Sequence, residues 1–251
     1  MNNFVIIGLG ILILLLVYIL YVYYYRSANA ITPKQISLLN SNPYIDNSTI
    51  KNPASVNFAY GAWIYVNTWS SNRKTLFYLS GNSSVRSGVN LYATDSATAS
   101  FPDFSVGLDA TDPKLYCTMG TKSDGSPFKV LLTNNFPIQK WTYVVVSVDG
   151  KIMDCYLDGK LVVSTQLDSV TSYNMTISNL AKDNIYLGDC DASNKNDIFI
   201  TMLNRWDHPL DPKTVWQNYL NGNGTGTFAS NYKVELQVSN NDVKESSLQL
   251  F

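Results

Sequence analysis

The side chains that could do acid–base or nucleophilic chemistry are few and scattered. His208 is the single histidine, and it stands beside Pro209 in a predicted loop with no Ser or Cys nucleophile placed near it. Glu235 and Glu245 are the only glutamates, and Asp154 stands alone on a predicted strand. Glycoside hydrolysis needs two carboxylates that face one another across about 5–9 Å. The sequence therefore predicts no catalytic residue and no enzyme.

The segment 189–197, DCDASNKND, is similar at first inspection to a calcium-binding loop. Asp189, Asp191 and Ser193 match positions 1, 3 and 5 of the EF-hand pattern, but the glycine of position 6 and the glutamate of position 12 are missing. A polar turn between two strands is the better interpretation. Asp189, Asp191 and Asp197 are kept as weak calcium candidates, and no other cofactor is predicted.

Aromatic side chains could recognise a ligand, because their faces stack on other rings while their polar atoms hydrogen-bond. Trp63, Trp69, Tyr60 and Tyr65 lie in or just after one predicted strand and could stack on sugars. Core packing is expected for Trp63, whereas Trp69 follows the strand in a turn and is expected to be exposed. Trp69 and Trp206 are the predicted ligand or interface residues.

The composition favours an all-β domain. Aromatic residues make up 13% of the 251 residues, and Gly, Asn, Asp and Ser recur at short intervals. Charged residues make up 15%, the net charge is −1 and there is no basic run, so nucleic-acid binding is not predicted.

Cys117, Cys155 and Cys190 show no CxxC spacing and no histidine cluster, which argues against a zinc site. An odd count without a framework favours a reducing compartment, although one disulfide and a free thiol stays an alternative.

The N-terminal segment 1–26 is predicted to be a transmembrane anchor. From Phe4 through Leu14 to Tyr25, 22 residues contain no charge and no proline. A helix of that length spans about 33 Å, enough for a hydrocarbon core of about 30 Å. A cleaved signal peptide is disfavoured because Met1 to Asn3 contains no Lys or Arg.

The charges that flank the anchor predict that the large domain lies on the cytosolic side. Arg26 and Lys34 follow the apolar run, and positive charge is enriched on the cytosolic side of membrane helices. Four Asn-x-Ser/Thr sequons would carry glycans in a secretory lumen and point the other way. They are at Asn47, Asn82, Asn174 and Asn223.

Residues 27–54 are predicted to be a stalk. Thr32 and Pro33 suit the start of a short helix, with Gln35 three residues after the cap. The remainder of the stalk is expected to be an extended linker.

Residues 55–251 are predicted to form the β-domain. Short apolar runs alternate with turn residues, which is typical of a sandwich. The predicted strands are Phe58–Val66, Thr75–Leu79, Gly88–Tyr92, Phe104–Leu108, Leu115–Met119, Phe128–Leu132, Asn184–Leu187, Ile198–Met202 and Tyr232–Gln237.

Residues 140–165 predict a three-stranded meander, because Asp149-Gly150 and Asp158-Gly159 separate three apolar runs. Alternation places Trp141, Tyr143 and Val145 on one face, and Val144, Val146 and Val148 on the other. A helix that Asp211 caps and that ends near Asn221-Gly222 is expected to pack Val215, Trp216 and Tyr219 on the sandwich.

The motifs together resemble laminin-G-like domains of the concanavalin A-like lectin/glucanase type. The strand from Trp141 with its DG and DGK turns, the run Ile185–Gly188, and the run Met202–Trp206 followed by Leu210-Asp211-Pro212 all resemble that family in order and spacing. The resemblance covers about residues 55–240 and implies a jelly-roll sandwich of two antiparallel sheets. The E-x-D-x-x-E arrangement of the family's glucanases is missing.

Two non-enzymatic functions remain from the sequence. The favoured one is structural: the combination resembles membrane-anchored minor capsid proteins of large icosahedral DNA viruses, which implies contacts with a virion's internal bilayer and with capsid proteins. The alternative is a membrane-anchored surface lectin or adhesin that binds carbohydrate. A membrane-bound glucanase is the third hypothesis, and it requires the missing carboxylate pair.

Overall fold

Two antiparallel sheets pack face to face in the computed structural model. The structure describes residues 9–20, 30–32, 34–40, 43–80, 104–121, 127–167, 183–189, 194–223, 235–240 and 243–249. The seven-stranded sheet has the order β1-β13-β4-β9-β10-β11, with β2 also paired to β13, and the six-stranded sheet has the order β3-β12-β5-β6-β7-β8. Strands β14 and β15 pair only with each other. The predicted sandwich of two antiparallel sheets is confirmed.

The strands of the seven-stranded sheet are β1 Ala30–Thr32, β2 Ile36–Ser37, β4 Phe58–Val66, β9 Thr142–Asp149, β10 Ile152–Leu157, β11 Lys160–Gln166 and β13 Ile198–Trp206. Those of the six-stranded sheet are β3 Tyr44–Ile45, β5 Lys74–Ser80, β6 Phe104–Leu108, β7 Leu115–Thr121, β8 Pro127–Thr133 and β12 Asn184–Leu187. The remaining pair is β14 Glu235–Asn240 and β15 Val243–Gln249. A 3₁₀ turn covers Asn47–Thr49 and an α-helix covers Pro212–Leu220.

The register defines two ends of the sandwich. Ala30, where the chain enters the sheet, lies opposite Asn204 near the end of β13. We call this end the entry end; it includes residues 51–57 and the turn at Gly150. The opposite end, called the far end, includes the connections β4–β5, β6–β7, β8–β9 and β12–β13.

The meander forms as predicted, because its two turns contain glycines with positive φ. Asp158 and Gly159 both have positive φ, as a type I′ turn requires. At the first turn Asp149 closes β9 and pairs with Ile152, so Gly150 and Lys151 form the loop. The predicted strand Gly88–Tyr92 lies outside the described residues.

Residues assigned to a stalk take part in the sandwich. Instead of a helix from Thr32, the structure shows β1 and β2 paired with β13, and β3 paired with β12, so the predicted helix start is wrong. Leu38 is 2% exposed in the core. Pairing and burial outweigh the local capping signal, since a turn of helix there would leave the edge of β13 without partners.

The N-terminal apolar segment is described over residues 9–20, which are helical. Its large apolar side chains are all exposed, Leu14 at 71%. Within the part of the chain that the structure describes, no helix reaches the length and hydropathy required to cross a bilayer. Phe4 and Tyr25, named as anchor residues, lie outside that part.

The two faces of the central strands bury different clusters. Val144, Val146 and Val148 lie in the large cluster between the sheets. Tyr143 and Val145 lie in a second cluster on the outer face of the seven-stranded sheet, against which Trp141 packs. The predicted alternation is therefore confirmed, and the sheet is covered on both faces.

The closing helix, Pro212–Leu220, covers the second cluster. Asp211 caps it by accepting hydrogen bonds from the N–H and hydroxyl of Thr214, at 3.0 and 2.6 Å. Val215 is fully buried, and the ring of Tyr219 stacks on Trp63 at 5.5 Å between centroids. The cap, the proline and the packing of Val215 and Tyr219 agree with the prediction, whereas Trp216 is 40% exposed and contacts the sandwich only beside Gly159.

Replacing Gly159 tests how tightly the closing helix packs on the second hairpin. A Cβ at residue 159, where φ is +79°, would lie 2.7 Å from the Trp216 ring. We expect Gly159→Ala to lower the free energy of unfolding by about 2–4 kcal/mol, from left-handed strain plus overpacking. Denaturant titration of the detergent-solubilised chain measures it.

Gly150→Ala is the matched control, because Gly150 has φ +57° but no atom within 4 Å of an added Cβ. Gly150→Ala should lower the free energy of unfolding by about 1–2 kcal/mol, from backbone strain alone. Equal losses in the two variants would show that the helix does not press on the hairpin.

Candidate functional site

A row of three aromatic side chains crosses the outer face of the seven-stranded sheet near the far end. Tyr65 on β4 lies opposite Phe199 on β13, with ring centroids 6.3 Å apart. On the other side of Tyr65, the Trp141 ring lies at 5.4 Å. Phe199, Tyr65 and Trp141, called the aromatic row, therefore form a continuous apolar strip across neighbouring strands.

The row remains partly open because the closing helix stops short of it. The helix covers Trp63, whose ring contacts Tyr143 and Tyr219. Two residues further along β4, Tyr65 lies on the same face, and it and its two row partners are each half-buried. Half-exposed rings with a phenol and an indole N–H provide apolar contact and hydrogen-bonding groups in one place.

A polar border lies beside Trp141. The Lys140 ammonium is 2.7 Å from an oxygen of Asp158, and that hydrogen bond raises the pKa of Lys140. The second oxygen of Asp158 accepts the N–H of Tyr143 at 2.9 Å. Lys140 is 58% exposed. The residue next to Trp141 is thus an exposed cation, paired with a carboxylate that is 22% exposed.

An ion pair joins two loops of the far end. Arg73 donates two hydrogen bonds to the buried carboxylate of Asp189, at 2.7 and 2.5 Å, and Thr75 donates a third at 3.0 Å. Such a paired charge is stable in the interior because both partners are satisfied. It joins the β4–β5 loop to the β12–β13 loop.

Lys74 joins a third loop to these two. Its ammonium, fully buried, donates to the carbonyls of Ser70, Asn72 and Ala110 at 2.5, 2.8 and 2.8 Å, and lies 4.3 Å from the centroid of the Trp69 ring. Loss of hydration lowers the pKa of Lys74 to about 8, although the negative charge of Asp109 acts to raise it. The β6–β7 loop is thereby held by an internal cation.

The weak calcium candidates take structural roles in this arrangement. The carboxylate of Asp189 accepts hydrogen bonds from Arg73 and Thr75. That of Asp197 accepts a hydrogen bond from the side-chain amide of Asn67 at 2.6 Å. Asp191 lies outside the described residues. Among the residues with a described position, no three His, Cys, Asp or Glu side chains lie close enough together to hold a metal.

The two predicted contact residues occupy opposite ends of the molecule. Trp69 was expected to be exposed, but it is half-buried at the far end, where it packs against the core and donates its indole N–H to Ala110 O at 3.2 Å. Trp206, half-buried at the entry end, packs over Gly61, where an added Cβ would lie 3.0 Å from its ring. The structure does not bring Trp69 and Trp206 together in one site.

The row itself was only partly visible in the sequence. Tyr65 is among the aromatic residues considered for sugar stacking, whereas Tyr60 lies on the opposite face in the core, 2% exposed. Strand alternation separates them, since odd and even positions of β4 face different ways. Phe199 and Trp141 join Tyr65 only through the strand order, which no local pattern encodes.

The buried ammonium of Lys74 predicts a pH dependence of stability. Because its pKa is lowered to about 8 in the fold from 10.5, the unfolded chain binds this proton more tightly in that window. The stability of the chain relative to Lys74→Met should therefore rise between pH 8 and 10.5, and stay constant below pH 8. Chemical unfolding of both proteins at several pH values measures the difference, and a difference that falls across the window would contradict the assignment.

The fold is shared with several solved structures at low sequence identity. Trypanosoma rangeli sialidase, in complex with 2,3-difluorosialic acid, matches with a TM-score of 0.53 and 14% identity, over 78% of this chain and 29% of that one. The receptor-binding domain of botulinum neurotoxin mosaic serotype C/D matches at 0.51 and 14%, over 75% and 41%. The binding domain of Paraclostridial Mosquitocidal Protein 1 matches at 0.50 and 13%, over 74% and 42%.

These likenesses concern the fold alone, and the chain spans less than half the length of each of those proteins. A search of curated proteins found no matching relative. The model of the concanavalin A-like lectin/glucanases superfamily matches residues 39–215, more than half of the sequence, and includes β3, which had been assigned to the stalk. The chain therefore belongs to the concanavalin A-like lectin/glucanases superfamily.

Proposed function

We propose that this protein is a membrane-anchored binding protein without catalytic activity, whose sandwich holds a carbohydrate ligand at the aromatic row. The observation that carries the proposal is the row itself: three half-buried rings in line across neighbouring strands, next to the exposed Lys140. The superfamily and the similarity in fold to toxin receptor-binding domains support a binding role.

The row suits a sugar because both surfaces combine apolar faces with a polar rim. A pyranose ring has apolar C–H faces and a rim of hydroxyl groups, while the row has apolar ring faces and a rim formed by Lys140 and Asp158. Tyr65 and Phe199 lie opposite each other on paired strands, so little conformational entropy is lost when these rings bind a ligand.

The described acidic groups support a non-catalytic function. Asp154, on β10, has Ser147 and Ser164 as its cross-strand neighbours, and neither can act as a second carboxylate. The exposed His208 contacts the adjacent Asp207 at 3.0 Å, and this hydrogen bond lowers the pKa of Asp207. A general acid needs the opposite shift, a raised carboxyl pKa.

Anchoring is supported by the exposure of the N-terminal apolar residues. Between residues 9 and 20 every large apolar side chain is at least 45% exposed. An uninterrupted apolar surface of this kind is unfavourable in water and favourable in lipid. The uncharged run from Phe4 to Tyr25 supplies the length of a membrane span.

Removing the indole at the end of the row should weaken binding. For Trp141→Ala in the full chain, reconstituted in liposomes and tested against a glycan array, we expect an affinity loss of about tenfold or more for every glycan that the unmodified protein retains. Titration of the retained glycan, followed by intrinsic fluorescence, gives the magnitude.

Leu161→Ala is the control for this experiment, since Leu161 is 50% exposed on β11, two strands beyond β9 in the sheet. It should leave the affinity unchanged. An equal loss in both variants, or no retained glycan at all, would remove the support for the row as a carbohydrate site.

A second candidate is a scaffold that joins a bilayer to a layer of protein, such as the shell of a virion with an internal membrane. The buried cysteines favour it. Cys117 and Cys155 are free thiols, and burial raises the pKa of Cys155 to about 12, so both are inert. Two unpaired cysteines in one core suit a reducing, cytosolic location. Cys190 lies outside the described residues.

The hydrogen bonds of the sequon at Asn47 favour a cytosolic location, where this side chain would carry no glycan. The side-chain amide of Asn47 donates to Asp183 O at 3.0 Å, and the Asn47 N–H donates to the Asn184 side chain at 2.9 Å. A glycan on Asn47 would displace this amide hydrogen bond. Asn82 and Asn174 lie outside the described residues.

Membrane topology separates the two candidates. The chain is expressed with its N-terminal segment, and microsomes are treated with an endoglycosidase and, separately, with protease from outside. The scaffold role requires no mobility shift and degradation of the sandwich. A shift, with the sandwich protected, would place it in the lumen and leave the surface lectin.

A further inference from the structure

The chain enters the sandwich within a few residues of its apolar run. The run ends at Tyr25, five residues before Ala30, where β1 begins. Five residues span at most about 18 Å, whatever their backbone conformation. Ala30 lies opposite Asn204, two residues before β13 ends. The entry end of the sandwich is therefore tied close to the end of the apolar run.

The entering chain is held firmly once it reaches the sheet. The Thr32 hydroxyl accepts the N–H of Leu203 at 3.2 Å, and the Leu38 N–H donates to Ile198 O at 2.9 Å. Because β1 and β2 are antiparallel to β13, the chain runs from the entry end towards the far end. The chain is therefore fixed to the sheet from β1 onwards.

The surface of the entry end carries exposed apolar tips. Val56 is 44% exposed and Ile152 is 51% exposed. Lys51 and Lys151 are exposed at this end and Arg205 lies beside Lys51, but Asp149 and Asp207 nearly balance these charges. Net charge therefore does not select a lipid surface here. The short connection to the apolar run holds this end next to the lipid surface. Burial of the exposed side chains of Val56 and Ile152 makes contact with the lipid favourable.

We propose that the sandwich stands end-on against the bilayer, with its entry end at the lipid head groups and its far end pointing away. This inference rests on the proposed membrane anchor. Phe199 lies seven residues along β13 from Trp206, which places the aromatic row about 23 Å farther from the bilayer than the entry end. The ligand is thus taken from the aqueous side, at a fixed height.

The competing orientation lays the β1–β2–β3 edge on the bilayer. That edge has its own exposed apolar side chains, Leu39 at 45% and Tyr44 at 52%. Gln35, exposed just before β2, distinguishes the two orientations, since it lies on this edge but away from the entry end.

The experiment uses the full chain in liposomes with the background change Cys190→Ser, because Cys117 and Cys155 are buried and not accessible to a label. Single cysteines are introduced by Lys151→Cys at the entry end, Gln35→Cys on the edge and Asn135→Cys at the far end. Each is labelled with a fluorophore, and quenching by a nitroxide-headgroup lipid is measured. We expect strong quenching at 151, weaker at 35 and least at 135.

The control inserts about a dozen Gly and Ser residues between Ala28 and Asn29, a flexible linker that should abolish the difference between the labels. Quenching at 35 as strong as at 151, or equal quenching at all three sites, would overturn the end-on orientation. Failure of the unmodified protein to float with the liposomes would instead overturn the anchor, and this inference with it.

Discussion

Burial of the seven-stranded sheet on both faces is the constraint on which the rest of the structure depends. Strand β9 contributes Val144 and Val146 to the cluster between the sheets, and Tyr143 and Val145 to the cluster under the closing helix. A sheet covered on one face only would need a polar outer face. Here the outer face is aromatic, so the closing helix is required, and the place where it stops determines which aromatic rings remain accessible.

The aromatic row and the cluster beneath the closing helix consist of the same residue types. Trp63 and Tyr65 lie two residues apart on one face of β4, yet Trp63 stacks under Tyr219 while Tyr65 meets only Trp141 and Phe199 among the aromatic contacts of the described residues. Two residues along one face of the strand therefore separate a buried ring from a half-buried one. Composition alone cannot make this distinction, which is why the sequence pointed to Trp69 and Trp206 instead.

Local patterns predicted those parts of the fold that local physics determines. The Asp158-Gly159 turn, the Asp211 cap and the alternation of β9 were correct, because each depends on residues within one turn or one strand. The first turn of the meander lies one residue later than Asp149-Gly150, because Asp149 still pairs with Ile152. The short strands β1, β2 and β3 were missed because their pairing partners are more than a hundred residues away along the chain. The same holds for the aromatic row, whose members come from β4, β13 and the residue before β9.

At the far end, two cationic side chains hold the loops together. Arg73 and Lys74 are adjacent in sequence, and they point to different partners: one pairs with Asp189, and the other donates to carbonyls of two loops. Burying an ammonium costs hydration free energy, and the lowered pKa of Lys74 reflects that cost. The hydrogen bonds to several carbonyls offset it, and they fix Trp69 and the β6–β7 loop in position. Asp189 and Asp197, the two carboxylates of the calcium-like segment that the structure describes, therefore accept hydrogen bonds from neighbouring side chains of the same end.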